Sequence, residues 1–278
     1  MSKLRHIGAD EAGRLLTVVA AADALEAALR AGLDPEADPP RLSLPVGGGE
    51  LLAMPSATTT HAAVKLVSVG GEPRIQGVCV VFDARTLSPV ALVDGVALTN
   101  LRTPAVSLLA VRLLAPEDTR RLVVFGRGPQ AKAHADAIAG VRQIEELLVF
   151  GRDAPRDAVD AAVAGAGIVC CATTAREPLF DGALVRDEAL VVAIGSHEPE
   201  AREVDEKLAR RAAVVVEPRS SALREAGDVI AAGLEPRALM TLAELVDGAS
   251  VPADRPRLFK STGMSWEDAV VASALVRA

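Results

Sequence analysis

The stretch RLVVFGRGPQAKAHADAIAG, residues 121–140, sets the fold class. RLVVFG (121–126) has the length and apolar content of a strand, and PQAKAHADAIAG (129–140) reads as a helix that ends in glycine. Between them Gly126, Gly128 and Ala131 satisfy G-x-G-x-x-[G/A]. A strand, a glycine turn and a helix in this order give that motif its mechanism. The glycines permit a tight turn and close backbone approach to a pyrophosphate, which rests on the helix N-terminus.

Working toward the C-terminus, the same alternation continues. ELLVFG (146–151) is a strand, DAPRDAVDAAVAG (153–165) a helix, and GIVCCAT (167–173) and ALVVAIG (189–195) are short apolar strands. VDEKLARR (204–211) reads as a helix and AVVVEP (213–218) as a strand. Alternation of this kind predicts an α/β domain, a Rossmann-type doubly wound parallel sheet with helices on both faces. Cofactor choice is read past the second strand, where an acidic residue bonds the ribose of NAD(H) and a cation accommodates the 2′-phosphate of NADP(H). Here Gly151 brings no carboxylate and Arg152 follows, which favours NADP(H); Asp153 keeps NAD(H) open. The plainer reading of Arg152 is a solvated loop charge.

Working toward the N-terminus, the first 35 residues look helical, with Asp10 as a cap and Leu25, Ala28 and Leu29 as an apolar stripe. After the break DPEADPP (34–40), RLSLPVGGGELLAM (41–54) reads as a hairpin. Strands AVKLVSV (63–69), GVCVVFD (77–83) and PVALVD (89–94) follow, then a helix from about Thr99–Pro104 to Leu114, with the proline in its first turn. At the other end a strand RLFKS (257–261) precedes a helix, SWEDAVVASALVRA (265–278). These parts predict a second, α+β domain, residues 1–110 completed by 256–278, around a dinucleotide domain of 111–255.

Composition narrows the function classes. The chain has 278 residues, 50% of them apolar and 24% charged, and a formal charge of −7. That length suits about two domains. The longest apolar runs, such as ALVVAI (189–194), are strand-sized, so neither a membrane span nor a secretory leader is expected, and the expected compartment is the cytoplasm. Aromatics are only 2%, with no Tyr and a single Trp266, and the acidic balance disfavours nucleic acid. Cys79, Cys170 and Cys171 show no CxxC spacing and read as small core residues. His6, His61, His134 and His197 are scattered with no ligand spacing, so no metal site is expected.

Several blocks, in order along nearly the whole chain, resemble the ornithine cyclodeaminase/mu-crystallin family. They are Arg41 with LLAMPSAT (51–58), Lys65 in VKLVSV, PRIQGVCVVFD (73–83), LVDGVALTNLRTPAVSLLA (92–110), GRGPQA, CCATTAREPLF (170–180), AIGSHEPEAREVD (193–205) and LFKSTGMSWEDA (258–269). The resemblance implies that Arg41, Lys65 and Arg102 bind the α-carboxylate of a small amino or imino acid. Arginine offers carboxylate a planar fork, and lysine a compact charge. It also implies that Thr103, Pro129, Gln130 and Thr173 serve the cofactor, that Ala193 to Ser196, Gly195 among them, line the nicotinamide, and that Ser261 and Thr262 come from the C-terminal strand, Thr262 toward substrate. A homodimer joined through the N-terminal sheets is implied as well.

One departure bears on the chemistry. Cyclodeaminases of the family carry an aspartate where this chain has His197. Histidine lacks its permanent charge but can exchange a proton near neutrality. The expectation is therefore hydride transfer between NADP(H) and the α-carbon of a cyclic ketimine or amino acid, with Lys65 and His197 as proton-handling groups. A true cyclodeaminase and a non-catalytic NADPH-binding protein are the alternatives. The carboxylate pocket is expected to be locally positive.

Overall fold

The computed structural model describes residues 4–278. The chain divides into two compact units: one runs up to Val106 and resumes over Met264–Ala278, the other is Ser107–Gly263.

The first unit opens with β1 (Arg5–Ile7), α1 (Ala9–Leu15) and α2 (Val18–Arg30). Thr17 caps α2 by accepting the Ala20 amide at 3.1 Å, and Leu25 and Leu29 of the expected stripe are buried. The helical reading of the first 35 residues therefore holds for α1 and α2 and fails at β1; its first three residues lie outside the described ones. A three-residue strand is too short to show a period. Strands β2 (Leu42–Val46), β3 (Gly49–Ala57), β4 (His61–Val69), β5 (Ile75–Asp83) and β6 (Pro89–Asp94) follow. The hairpin between β2 and β3 turns at Gly47, whose φ of +55° suits glycine. With β1 they form one sheet ordered β1-β6-β5-β4-β3-β2. Its two faces differ: Leu52, Met54, Ala63, Lys65, Val67, Cys79, Val81 and Val93 are buried, whereas Leu42, Leu44, Val46 and Leu51 on the alternate positions are exposed.

Helix α3 (Gly95–Leu114) carries the chain from one unit into the other. It begins earlier than expected, so Pro104 sits at its tenth position rather than in its first turn. The proline removes one amide donor, and the helix continues past it.

The second unit contains β7 (Arg121–Phe125), α4 (Pro129–Ala139), β8 (Glu146–Phe150), α5 (Arg156–Gly165), β9 (Ile168–Cys171), β10 (Leu190–Ala193), α6 (Glu206–Arg211), β11 (Ala213–Val216), α7 (Arg219–Glu225), α8 (Gly227–Ala231), β12 (Leu239–Thr241), α9 (Leu242–Val246) and β13 (Arg257–Lys260). All seven strands run parallel in the order β12-β11-β13-β10-β9-β7-β8. This is the doubly wound sheet the alternation predicts. Val123, Phe125, Val169, Cys171, Val191 and Ala193 pack with α5 and α6 residues such as Val163 and Leu208. Leu122, Val124, Ile168 and Cys170, at the alternate positions, are fully buried too, so the strands read as continuous apolar runs. The chain goes from β7 outward to β8 and then crosses back to β9. That reversal opens a crevice at the carboxyl ends of β7 and β9.

Three short helices and β12, between 219 and 246, escape the sequence reading because none exceeds seven residues. The expectation that 256–278 completes the first domain needs correcting. Strand β13 lies between β10 and β11 in the seven-stranded sheet. Leu258 and Phe259 are buried on both faces there, and a four-residue apolar run carries no mark of which sheet it joins. Only the last helix, α10 (Ser265–Arg277), returns: it packs on β3, β4, β5 and α2.

Candidate functional site

In the first unit the sheet face under α10 holds a charged cluster. Lys65 of β4, 2% exposed, lies opposite Met54 in β3 and Cys79 in β5. Its Nζ stands 2.8 and 2.9 Å from the two carboxylate oxygens of Asp268. Arg102 of α3 donates from Nη1 to Glu267 at 2.9 Å, and its Nε lies 3.4 Å from Asp268. Both acids sit in the first turn of α10 and are fully buried. Burial pulls the Lys65 ammonium below its ordinary range, while Asp268 pulls it back up. Burial also pushes the neighbouring Cys79 thiol up to about 12, which leaves it unreactive.

Two cations face two carboxylates here, so Lys65 and Arg102 are charge-balanced within the fold, which the expectation of a locally positive pocket did not include. A charge removed from water needs a partner, and Glu267 and Asp268 supply it. Arg41, the third expected carboxylate ligand, is half-buried on the residue before β2. Thr103, next to Arg102, is buried, and its Oγ1 has no hydrogen-bond partner among the described residues.

In the second unit the glycine turn follows β7. Gly126 has φ +115°, and a methyl group on it would stand 2.4 Å from the Ala172 carbonyl oxygen, so only glycine fits. Gly128 is different: a methyl group there would meet nothing within 4 Å. No protein atom demands glycine at 128, and the open space suits a ligand diphosphate laid against the backbone. Pro129 is the first residue of α4 and Gln130 the second, with Gly128 as an N-cap that offers no side chain. Behind the turn, His134 is fully buried, its ring nitrogens 2.7 Å from the Gln130 carbonyl oxygen and 2.9 Å from the Ser107 hydroxyl. Arg152 is exposed on the turn after β8.

Along the carboxyl edge of this sheet the remaining expected residues are tied together by acids the sequence reading passed over. Glu203, fully buried, accepts the Thr173 amide and hydroxyl at 2.8 Å each and the Gly195 amide at 2.7 Å. One carboxylate thus joins the loops after β9 and β10. The fit is tight, since a methyl group on Gly195 would stand 2.4 Å from Glu203 Oε1. Burial raises the Glu203 pKa, opposed by Lys260 and by these donors.

Lys260, at the end of β13, donates to the Ser196 carbonyl at 2.7 Å and pairs with Asp228 at 3.1 Å. Asp228 in turn accepts the amides of Glu203 and Val204. Glu217, just past β11, accepts the Ser261 hydroxyl at 2.6 Å and the Thr262 amide at 3.0 Å. The Thr262 hydroxyl lies 2.8 Å from that of Ser221. Glu203, Asp228 and Lys260 therefore tie Thr173, Gly195 and Ser196 into one network, and Glu217 engages the Ser261 and Thr262 hydroxyls in a second. Ala193 ends β10, fully buried, and His197 is half-buried in the loop beyond. One signal was present in the sequence for three of these charges: Glu217, Lys260 and Asp268 are set beside apolar runs, whereas Glu203 lies in the charged stretch EAREVDEK and carries no such mark.

The sequence model of the ornithine cyclodeaminase/mu-crystallin family matches residues 7–161 and 154–277. Ketimine reductase mu-crystallin of Mus musculus is 33% identical over 217 residues, 72% of this chain and 68% of the mouse protein. Among solved structures, a probable ornithine cyclodeaminase from Bordetella pertussis Tohama I superposes with a TM-score of 0.91 at 30% identity, covering 99% of this chain and 96% of its own. The Delta(1)-pyrroline-2-carboxylate reductase of Thermococcus litoralis, solved with NADH and L-proline, gives 0.88 at 26% identity, covering 99% and 97%.

Proposed function

This chain belongs to the ornithine cyclodeaminase/mu-crystallin family, and from that premise we propose that it is an NAD(P)H-dependent oxidoreductase acting on small α-imino or α-amino acids. The leading substrates are the cyclic ketimines Δ1-pyrroline-2-carboxylate and Δ1-piperideine-2-carboxylate. The observation that carries this reading is one chain holding both a glycine turn open at Gly128 and a buried Lys65–Asp268 pair beside Arg102. In the same reading the seven-stranded unit binds the dinucleotide and the other unit binds substrate.

A bound nicotinamide supplies the hydride. The residues of the chain bind, orient and move protons. Arg41 and Arg102 hold the substrate carboxylate, for which a guanidinium fork is suited. Lys65 gives a proton toward the imine nitrogen from Nζ; Asp268, 2.8 Å away, pairs with the ammonium before the transfer and accepts a hydrogen bond from the neutral amine after it. A neutral four-charge cluster suits the zwitterion which that proton transfer forms, an iminium carboxylate, better than a simple anion. Glu203 and Lys260 hold the loops carrying Thr173, Gly195 and Ser196, which face the nicotinamide in this reading. His197 is a second proton-handling candidate on the same loop.

NADP(H) is favoured over NAD(H) because the end of β8 presents Gly151 and the exposed Arg152 instead of a carboxylate. The protein acts as a homodimer through the outer face of the six-stranded sheet, where Leu42, Leu44 and Val46 are each more than half exposed on an apolar row. Leu44→Lys converts the dimer to a monomer in light scattering if that face is the interface. The cytoplasm is the compartment that suits three free, buried thiols. Among the described residues no helix is long and apolar enough to cross a membrane.

The deciding experiment follows NADPH absorbance with each cyclic ketimine. Substrate-dependent loss that disappears in Arg102→Ala supports the reading. Ammonia release from ornithine without added reductant would replace it with a cyclodeaminase.

A further inference from the structure

The residue between the two glycines of the turn, Arg127, has no part in the roles assigned above. Its position is set by the backbone: the Gly126 amide donates to the Phe150 carbonyl at 2.9 Å, which brings the turn beside the end of β8. Arg127 reaches across that junction. A methyl group on Gly151 would stand 3.0 Å from the guanidinium carbon and 3.2 Å from Nε and Nη1. The guanidinium therefore covers the Cα of Gly151, in the space an acidic side chain at 151 would need. Glycine at 151 removes the carboxylate and makes room for the cation at once.

What sets this pair of arginines apart is their place on the glycine turn and at the end of β8. Many exposed arginines hold a carboxylate, as Arg120 does with Glu145, Arg176 with Glu198 and Arg237 with Glu235, whereas Arg14, Arg74 and Arg85, away from that turn, make no ion pair among the described residues. Arg127 and Arg152 are both exposed, and neither makes an ion pair or side-chain hydrogen bond among the described residues. Asp153, on the same turn as Arg152, pairs with neither. Two adjacent cations without a carboxylate, at the end of the second strand of a dinucleotide fold, suit a phosphomonoester on the adenosine ribose.

We propose that Arg127, lying over Gly151, is the principal determinant of cofactor choice and binds the 2′-phosphate together with Arg152. The proposal rests on reading the Gly126–Ala131 turn as a dinucleotide site, and its test separates the two. Adenosine 2′,5′-bisphosphate and adenosine 5′-monophosphate are titrated into the full-length protein by calorimetry. The bisphosphate binds at least about tenfold tighter, as charge-assisted contacts to phosphate predict. Arg127→Ala removes most of that ratio and leaves the monophosphate affinity within about twofold. Arg127→Lys retains part of it, since lysine keeps the charge and loses the fork. Gly151→Asp, which puts a carboxylate against Arg127, lowers the ratio to about one or inverts it. Raising salt shrinks the wild-type ratio, because the site is exposed.

A ratio unchanged in Arg127→Ala, with the monophosphate still bound, overturns the role of Arg127 and leaves the dinucleotide reading standing. Equal loss for both nucleotides overturns it too, by showing that Arg127 stacks on adenine rather than reading phosphate. Binding of neither nucleotide to the wild type overturns both readings together.

Discussion

The two cationic regions of this molecule are built on opposite principles. Lys65 and Arg102 are buried and held by Asp268 and Glu267, whereas Arg127 and Arg152 are exposed and hold no carboxylate. The difference follows from desolvation. A cation removed from water requires a counter-charge within the fold, so the ligand must compete with, or complement, charges already in place. A cation left in water needs none, and a phosphate can find it unoccupied by other anions. The buried cluster is therefore a structural element as well as a binding one, while the exposed pair is free of structural duty.

The sharpest way to break this contrast is to unbalance the buried side. Asp268→Asn leaves Lys65 with no full counter-charge beside it and should cost about 3–5 kcal/mol of stability, read from urea unfolding. The double substitution Lys65→Met with Asp268→Leu should recover most of that loss while abolishing ketimine turnover. Stability that fails to return would mean that the cluster does more for the fold than neutralise itself.

Next in size is Glu203→Gln. The amide can serve the donors of Thr173 or of Gly195 but sets an N–H against the other, at a cost of roughly 1–3 kcal/mol. If Glu203 positions the loops, KM for the dinucleotide rises more than the loss of stability explains. Glu203→Asp, too short to span both loops, should not rescue it.

A smaller effect tests the same rule from the anion side. Asp38 is half-buried and pairs with no cation among the described residues. It accepts the Ser56 hydroxyl at 2.6 Å, and burial pushes its carboxyl up from 3.8 to about 6. A carboxyl raised on folding adds stability below its unfolded pKa and loses it as pH climbs through the folded one. Unfolding free energy should therefore fall between about pH 4 and 6 by roughly 1 kcal/mol, discounted for its remaining contact with solvent. Asp38→Asn should flatten that slope.

The smallest effect belongs to the exposed side. Arg127→Ala should change stability by no more than about 0.5 kcal/mol in the same urea experiment, whatever it does to nucleotide binding. A larger loss would show that this arginine is structural after all and erase the contrast.

Much of the fold is legible in the chain because it is local. The strand–turn–helix at 121–140 identifies the doubly wound sheet, since hydrophobic period and glycine chemistry act within a few residues. Gly126 is legible for the same reason. Strand β13 is not: RLFK carries the same apolar signature whether it joins the first sheet or the second. The pairing partners of the expected site residues are equally hidden. Lys65 and Arg102 stand out as cations on a strand and a helix, but nothing near them names Asp268 or Glu267.

By itself, the sequence determined the alternation of elements, the glycine turn and the residue types able to hold a carboxylate and a phosphate. Tertiary structure alone decided which charges are balanced. It brought Asp268 onto Lys65 across 203 residues and Glu267 onto Arg102 across 165, and it laid Arg127 over Gly151. The physical reason is that a charge becomes costly only when folding strips its water, and that event belongs to no single segment.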